Sequence, residues 1–401
     1  MGGRHGDELR VTTDIDPCGG IGVLSLDPRT GHVLTRTRLA SVATTDLPDT
    51  DTYNLPLGDF NGDGHADVAL IRTTQNRPTP IPVVCFAEPS GQCMAPPVSP
   101  WHARADVVDG RTGRVLLGKD LGEYRAPLPT GAWIPRAKSD ALAIVTPTSV
   151  TGADVGLLTS HGQAWRVTVS GGSSDVMLIP VTNGVAVIGQ SSAQFSGAPI
   201  VTTVTVLEAA TGRMRWSKQF VGQIDAQSAG DGGLLLTDLV SGTAIKAAAG
   251  TGRTLWQRGP EGAYRLWPSV LSDVDGRGSP DVAFALLNSY VIVSGEDGRE
   301  LLTLGADDRP YGLGDVTGDG CSDLAVVTGA DSATPTVRLI RGRALATAWT
   351  QIVPFGDHAS VLALTGRGGL GGTVLLHAVS GPTVALAGAT GRRLWSVAAP
   401  N

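Results

Sequence analysis

Oxygen-bearing side chains recur at a fixed spacing in this chain. In the stretch LGDFNGDGHADVAL they are Asp59, Asn61, Asp63 and Asp67, with Gly62 and Gly64 between them. Alternate side chains of so tight a loop can turn inward on one centre, and the backbone carbonyl of His65 would complete the set. Such an all-oxygen cage suits a hard cation, since Ca2+ takes six to eight oxygens at about 2.3 to 2.6 Å. LGDVTGDGCSDLAV repeats the arrangement with Asp315, Thr317, Asp319 and Asp323, and Cys321 stands in the carbonyl position. An altered copy, LSDVDGRGSPDVAF, keeps Asp273, Asp275 and Asp281 but carries Arg277 where the others have Asp63 and Asp319. Its guanidinium is expected in the ion's place. The expectation is therefore two Ca2+ sites and a third, degenerate one.

A helix-loop-helix calcium site would place a bidentate Glu at loop position twelve and continue as a helix. Here that position is Leu70, inside the alternating run DVALI, so the loop feeds a strand. Asp-Gly turns with solvated acids are common at strand ends. Three copies with the same four spaced positions ask for more than a turn. At these residues the chain resembles the FG-GAP repeat (integrin alpha-type, or VCBS-like) of calcium-binding β-propellers. That resemblance implies protein or carbohydrate ligands at a surface outside the cytoplasm.

A second repeat spans the whole chain and sets the architecture. It is a strand, a Thr-Gly type turn and a second strand that often ends in Trp, with turns at Gly31, Gly113, Gly162, Gly212, Gly252, Gly298, Gly342 and Gly391. Most successive turns are about 40 to 50 residues apart, the period of a four-stranded propeller blade. The wider gap after Gly31 leaves room for an insertion at about residues 75–100. Glycine suits such a turn because it adopts a positive φ that other residues resist. One hairpin cannot bury its apolar face alone, so neighbouring sheets must stack. Trp216, Trp256 and Trp395 fall at equivalent places and are expected to pack between blades, with Trp165 one residue out of step. Two further apolar runs between turns supply the remaining strands, giving seven complete blades and an N-terminal segment of two or three strands. The fold expected is an all-β, single-domain propeller over 1–401, eight-bladed with an incomplete first blade, or alternatively seven-bladed. The hairpins also resemble the PQQ-binding-like, quinoprotein-type propeller repeat, in fragments such as Asp109 with Gly113 and Gly212 with Trp216.

Composition agrees with many short strands: 54 Gly and 25 Pro stand beside only 17% charged residues, and no segment keeps helical periodicity. A net charge of -6 without a basic stripe excludes nucleic acid as an expected partner. No apolar run is long enough to span a bilayer. The first ten residues lack the apolar core of a signal peptide, yet calcium loops suit the space outside the cell, where Ca2+ is abundant, and CFAEPSGQC, which reads as a disulfide between Cys85 and Cys93, suits an oxidising compartment. An exported, extracellular or cell-surface protein is expected, and a monomer. Pairing of Cys18 with Cys321 is left open.

Catalytic constellations are missing from the sequence. The seven histidines form no close ligand pair, and neither a nucleophile elbow nor a P-loop occurs. Trp101 and His102 beside the insertion, and Arg136 and Lys138 near an inner strand, are the remaining candidates for recognition. The reading is a non-catalytic binding or scaffold module; the alternative is a propeller enzyme, a quinoprotein-like dehydrogenase or a polysaccharide lyase.

Overall fold

The computed structural model describes residues 9–14, 21–26, 33–38, 50–54, 58–75, 101–124, 129–136, 138–149, 152–170, 176–191, 199–259, 267–332, 334–353, 359–364, 372–378 and 382–397. These residues are all strand, turn or coil. Each sheet is built from strands consecutive in the chain. A three-stranded sheet holds β1 (Leu9–Asp14), β2 (Ile21–Leu26) and β3 (Val33–Arg38). Seven four-stranded antiparallel sheets follow among the described residues. The first has β4 (Thr50–Asn54), β5 (Val68–Gln75), β6 (Trp101–Val108) and β7 (Val115–Tyr124), and the next β8 (Thr130–Ile134), β9 (Ala141–Ser149), β10 (Gly152–Thr159) and β11 (Gly162–Ser170). Then come β12 (Val176–Val181), β13 (Gly184–Gln190), β14 (Val201–Glu208) and β15 (Met214–Val221), and β16 (Ile224–Ser228), β17 (Leu234–Asp238), β18 (Ala244–Ala247) and β19 (Thr254–Arg258). The fifth has β20 (Trp267–Val270), β21 (Val282–Ala285), β22 (Ser289–Val293) and β23 (Glu300–Gly305), and the sixth β24 (Asp308–Gly312), β25 (Leu324–Thr328), β26 (Thr336–Arg341) and β27 (Ala346–Ile352). The last has β28 (Ala359–Leu364), β29 (Thr373–Ala378), β30 (Thr383–Ala387) and β31 (Arg393–Val397). The chain divides into two compact units, one containing β4 to β15 and the other β16 to β31, with β1 to β3 shared between them.

Within each unit the core lies between consecutive sheets. Ala143, Val155 and Leu157 of one sheet pack with Leu178, Val185 and Val187 of the next, and Val327, Val337 and Leu339 pack likewise with Val374, Leu376 and Leu386. Alternation along the strands puts these side chains on both faces of every inner strand, so β13 and β25 are buried almost throughout.

Tryptophans of the fourth strands close the seams. The indole Nε1 of Trp165 donates to Ala209 O at 2.9 Å, Trp256 to Gly295 O at 2.9 Å and Trp349 to Gly388 O at 2.6 Å. Each ring lies over the turn glycine of the following sheet: a Cβ added to Gly212, Gly298 or Gly391 would come within 2.8, 3.1 or 2.7 Å of it. Glycine here is demanded twice, by φ near +70° and by the ring above.

Two expectations are corrected. Trp165 is in step after all: it sits opposite Leu157 just as Trp256 sits opposite Lys246, and only the glycine is displaced, because two residues join β10 to β11 where six join β18 to β19. Gly342 opens the turn between β26 and β27 and is the counterpart of Gly110 and Gly295, not of the glycines that close the other turns. The left-handed position three residues on, which is Gly113 after Gly110 and Gly298 after Gly295, is Leu345 with φ 49°. Misplacing that turn hid Trp349, which pairs with Leu339 at the same point of its sheet.

Candidate metal centre

The three acidic loops join the first and second strands of their sheets, and their backbones agree position by position. Glycines at the fourth and sixth places all have positive φ: Gly62 and Gly64, Gly276 and Gly278, Gly318 and Gly320. The first acid of each loop folds over the amides that follow. Asp59 accepts from Gly62 and Gly64, Asp273 from Arg277 and Gly278, and Asp315 from Gly318, Asp319 and Gly320. Asn61 Oδ1 accepts from Asp63 N at 2.9 Å, Asp63 Oδ1 from His65 N at 2.8 Å, and Asp319 Oδ1 from Cys321 N at 3.0 Å.

The ninth residue is a buried clamp, a role the spacing did not reveal. Asp67 accepts backbone N–H bonds from Phe60, Asn61 and Gly110; Asp281 from Val274, Asp275 and Gly295; Asp323 from Val316, Thr317 and Gly342. Thr317 Oγ1 also donates to Asp323, at 3.3 Å. All three carboxylates are fully buried. Burial pushes Asp67 and Asp281 up to about 6 despite the amide donors, which act the other way, and raises Asp323 for the same reason. The glycine each clamp holds lies at the end of the third strand, where the loop backbone leaves no room for a side chain. A Cβ on Gly110 or Gly295 would sit 1.9 Å from the carbonyl of Ala66 or Pro280, and one on Gly342 would sit 2.0 Å from that of Ser322.

Oxygen donors suited to a hard cation thus line each loop, and the loops differ in their counter-charges. Among the described residues no basic side chain pairs with Asp59, Asp63, Asp67, Asp315, Asp319 or Asp323, so the first and third loops fit a divalent cation by donor type and by charge. In the second loop one carboxylate oxygen each from Asp273, Asp275 and Asp281 lie within 4.8 Å of one another, and no other such triad occurs among the described residues. Arg277 lies against that cluster, with Nε 3.7 Å from Asp275 Oδ2 and Nη1 2.8 Å from Asp297 Oδ2.

The remaining candidates fall elsewhere. Arg136 and Lys138 are exposed in the connection between β8 and β9, beside the first loop, where the Lys138 carbonyl would lie 2.7 Å from a Cβ on Gly62. His102 Nε2 is 3.1 Å from Asp120 Oδ1. Cys321 is a free, half-buried thiol, and Cys18 lies outside the described residues. Cys85, Cys93 and the insertion at 76–100 lie outside the described residues. A polar cleft between β7 and the sheet of β8 to β11, of about 470 Å³ including open solvent, is lined by Lys119, Asp120, Thr146, Asp154, Gln163 and Arg166. No helix among the described residues is long and apolar enough to cross a membrane.

Four-stranded sheets in chain order, with a docked tryptophan at three of the seams within the two units, make this an all-β protein of the β-propeller class. Residues 152–318 match the PQQ_2 family, described as outer membrane protein assembly factor BamB, in keeping with the PQQ-type hairpin repeat. No curated protein matches the sequence. Similar solved structures include dihydro-heme d1 dehydrogenase NirN in complex with DHE (11% identity, 98% of this chain and 74% of that one, TM-score 0.56). A eukaryotic initiation factor (13% identity, 98% and 85%, TM-score 0.54) and apo AztD from Citrobacter koseri (11% identity, 98% and 95%, TM-score 0.50) are others. At such identities the likeness is one of fold alone.

Proposed function

We propose that the protein is a non-catalytic, calcium-stabilised β-propeller that serves as a binding or scaffold module outside the cytoplasm. The three-stranded sheet would be its incomplete eighth blade. Ca2+ would be held by Asp59, Asn61, Asp63, Asp67 and the His65 carbonyl in the first loop. In the third it would be held by Asp315, Thr317, Asp319, Asp323 and the Cys321 carbonyl. When bound, the ion supplies positive charge to carboxylates that otherwise repel one another, which couples metal binding to stability. The observation that carries this reading is the pair of acid loops without a basic partner. The clamp carboxylates add to it, since a negative charge that burial penalises is one a cation relieves.

A protein partner is the first choice of ligand, on a propeller face where loops converge, with carbohydrate second. The family matched by residues 152–318 is described as an assembly factor of the outer membrane, which favours both a protein partner and a position outside the cytoplasm. The module would act as a monomer.

Thermal unfolding with Ca2+ and with excess EGTA, alongside Asp63→Ala and Asp319→Ala, tests the calcium reading. Chelation should lower the midpoint by about 1 to 4 °C, the shift that loss of about 1 to 3 kcal/mol of linkage produces in a chain of this length, and each substitution should remove part of that difference. Equal midpoints in Ca2+ and EGTA would refute it.

A further inference from the structure

The second acidic loop differs from the other two on both of its sides. On the solvent side its fifth residue is Arg277, whose guanidinium contacts Asp275 Oδ2 at 3.7 Å, Glu296 at 3.7 Å and Asp297 at 2.8 Å. Asp275 has a side chain only 7% exposed, and its Oδ2 accepts no hydrogen bond. The guanidinium is thus the positive charge that faces a buried carboxylate oxygen.

On the inner side the neighbouring sheet contributes Lys246, 1% exposed. Its register position, opposite the fourth-strand Trp or Leu, is apolar in the six other four-stranded sheets: Val107, Leu157, Val206, Ile292, Leu339 and Ala385. Lys246 Nζ donates to Asp231 Oδ2 and to Gly295 O, both at 2.6 Å. Gly295 N is in turn held by Asp281, and Ser279 Oγ of the same loop donates to Asp231 Oδ2 at 2.9 Å. A lysine is rarely buried without a reason, because its charge must be paired there. Here the reason is local. Both departures from the repeat fall on one loop, and both are cations.

We infer that the second loop binds no metal ion: Arg277 is a tethered cation that supplies the positive charge at Asp275, and Lys246 ties the loop to the preceding sheet through Asp231, Ser279 and Gly295. This rests on the reading that the first and third loops take Ca2+. The chain then contains two exchangeable sites and one permanent one, whose seam with β16 to β19 is indifferent to chelators.

Calcium titration by calorimetry on the full chain, wild type and Arg277→Asp, reads the number of sites. Two sites in wild type and three in Arg277→Asp are expected. Three in wild type, falling to two in Asp275→Ala, would overturn the inference, as would an unchanged count in Arg277→Asp. No site in wild type but one in Arg277→Asp would refute the calcium reading of the other loops and uphold this one. Melting of Lys246→Met gives the second readout, and Arg277→Asp, changed at an exposed residue, keeps the test open if that variant does not fold. The midpoint should fall by the same amount in Ca2+ and in EGTA, and a fall confined to Ca2+ would place a metal in the loop.

Discussion

Leu302 and Leu345 depart together from the ring-over-glycine arrangement of three other seams, and their coupling can be measured. Where Trp165, Trp256 and Trp349 cover the next sheet's turn, that turn carries glycine. Leu302 occupies the tryptophan position of β23, opposite Ile292, and the turn that follows carries Leu345. Both leucines pack on one core cluster, so the second side chain fills space that an indole takes elsewhere. Leu302→Trp alone should drive the ring into Leu345 and cost about 1 to 3 kcal/mol. Leu345→Gly alone relieves a left-handed residue, worth about 1 to 2 kcal/mol. It also loses partly buried leucine contacts and adds unfolded-state entropy of about 0.5 to 1 kcal/mol, for a small net change. The double variant should restore a ring over glycine with its N–H aimed at the Gly342 carbonyl, the counterpart of Gly295 and Gly388. A favourable coupling of about 2 kcal/mol should result. Urea unfolding is the better assay, because in a chain of 401 residues 1 kcal/mol moves the melting point by only about 1 °C. Additivity of the two changes within about 0.5 kcal/mol would refute the argument.

Two further tests use the same seams. Gly342→Ala should be severely destabilising, by more than about 3 kcal/mol, since its Cβ would lie 2.0 Å from the Ser322 carbonyl and 2.9 Å from that of Val274. Gly320→Ala, at φ 90° with nothing within 4 Å, should cost only about 1 kcal/mol of backbone strain; equal losses in urea unfolding would mean that close approach is not the constraint. Trp256→Phe should lose about 1 kcal/mol with the bond to Gly295 O, and Trp256→Ala about 3 to 5 kcal/mol with the ring; similar values would show that the ring contributes little to the seam.

Much of this was legible because it is local. The acidic loops declare themselves within nine residues, and the hairpin period follows from turn glycines that a positive φ requires. What escaped was either distant or displaced. The clamp bond from Asp67 to Gly110 spans 43 residues, so a spaced acid read as a cation ligand is also a buried acceptor for three amides. Its sequence signal is a glycine three places before the turn glycine, present at Gly110 and Gly295 and kept at Gly342 where the turn residue itself is Leu345; Gly388 has the same place but donates to Gly372 O instead. Trp165 seemed displaced only because it was counted from Gly162, which closes a shorter turn than the glycines of the other hairpins. Lys246 was visible in the run AIKAAAG, and only alignment by register shows that its counterparts are apolar.

Each acidic loop also binds the sheet that follows its own. Asp59 N donates to Asp140 Oδ2 at 2.8 Å and Asp140 N to Asp59 O at 2.6 Å, while Phe60 meets Trp133 edge-on with centroids 6.0 Å apart. The carbonyls at the second place of the other loops do the same: Val274 O accepts from Arg343 N at 2.6 Å, and Val316 O from Gly372 N at 2.8 Å. The loops are therefore seam elements as well as turns, held from one side by the clamp and from the other by the neighbouring sheet. Repeat proteins owe their cooperativity to interfaces between repeats, each repeat being weak alone. A cation bound in the first or third loop would accordingly act where sheets meet, and its free energy would enter the coupling between them. At the second loop Lys246 would keep the coupling to the preceding sheet whatever the calcium concentration. One fold would then hold metal-dependent and metal-independent joints, told apart by Arg277 at the fifth place of a loop and Lys246 on the sheet before it.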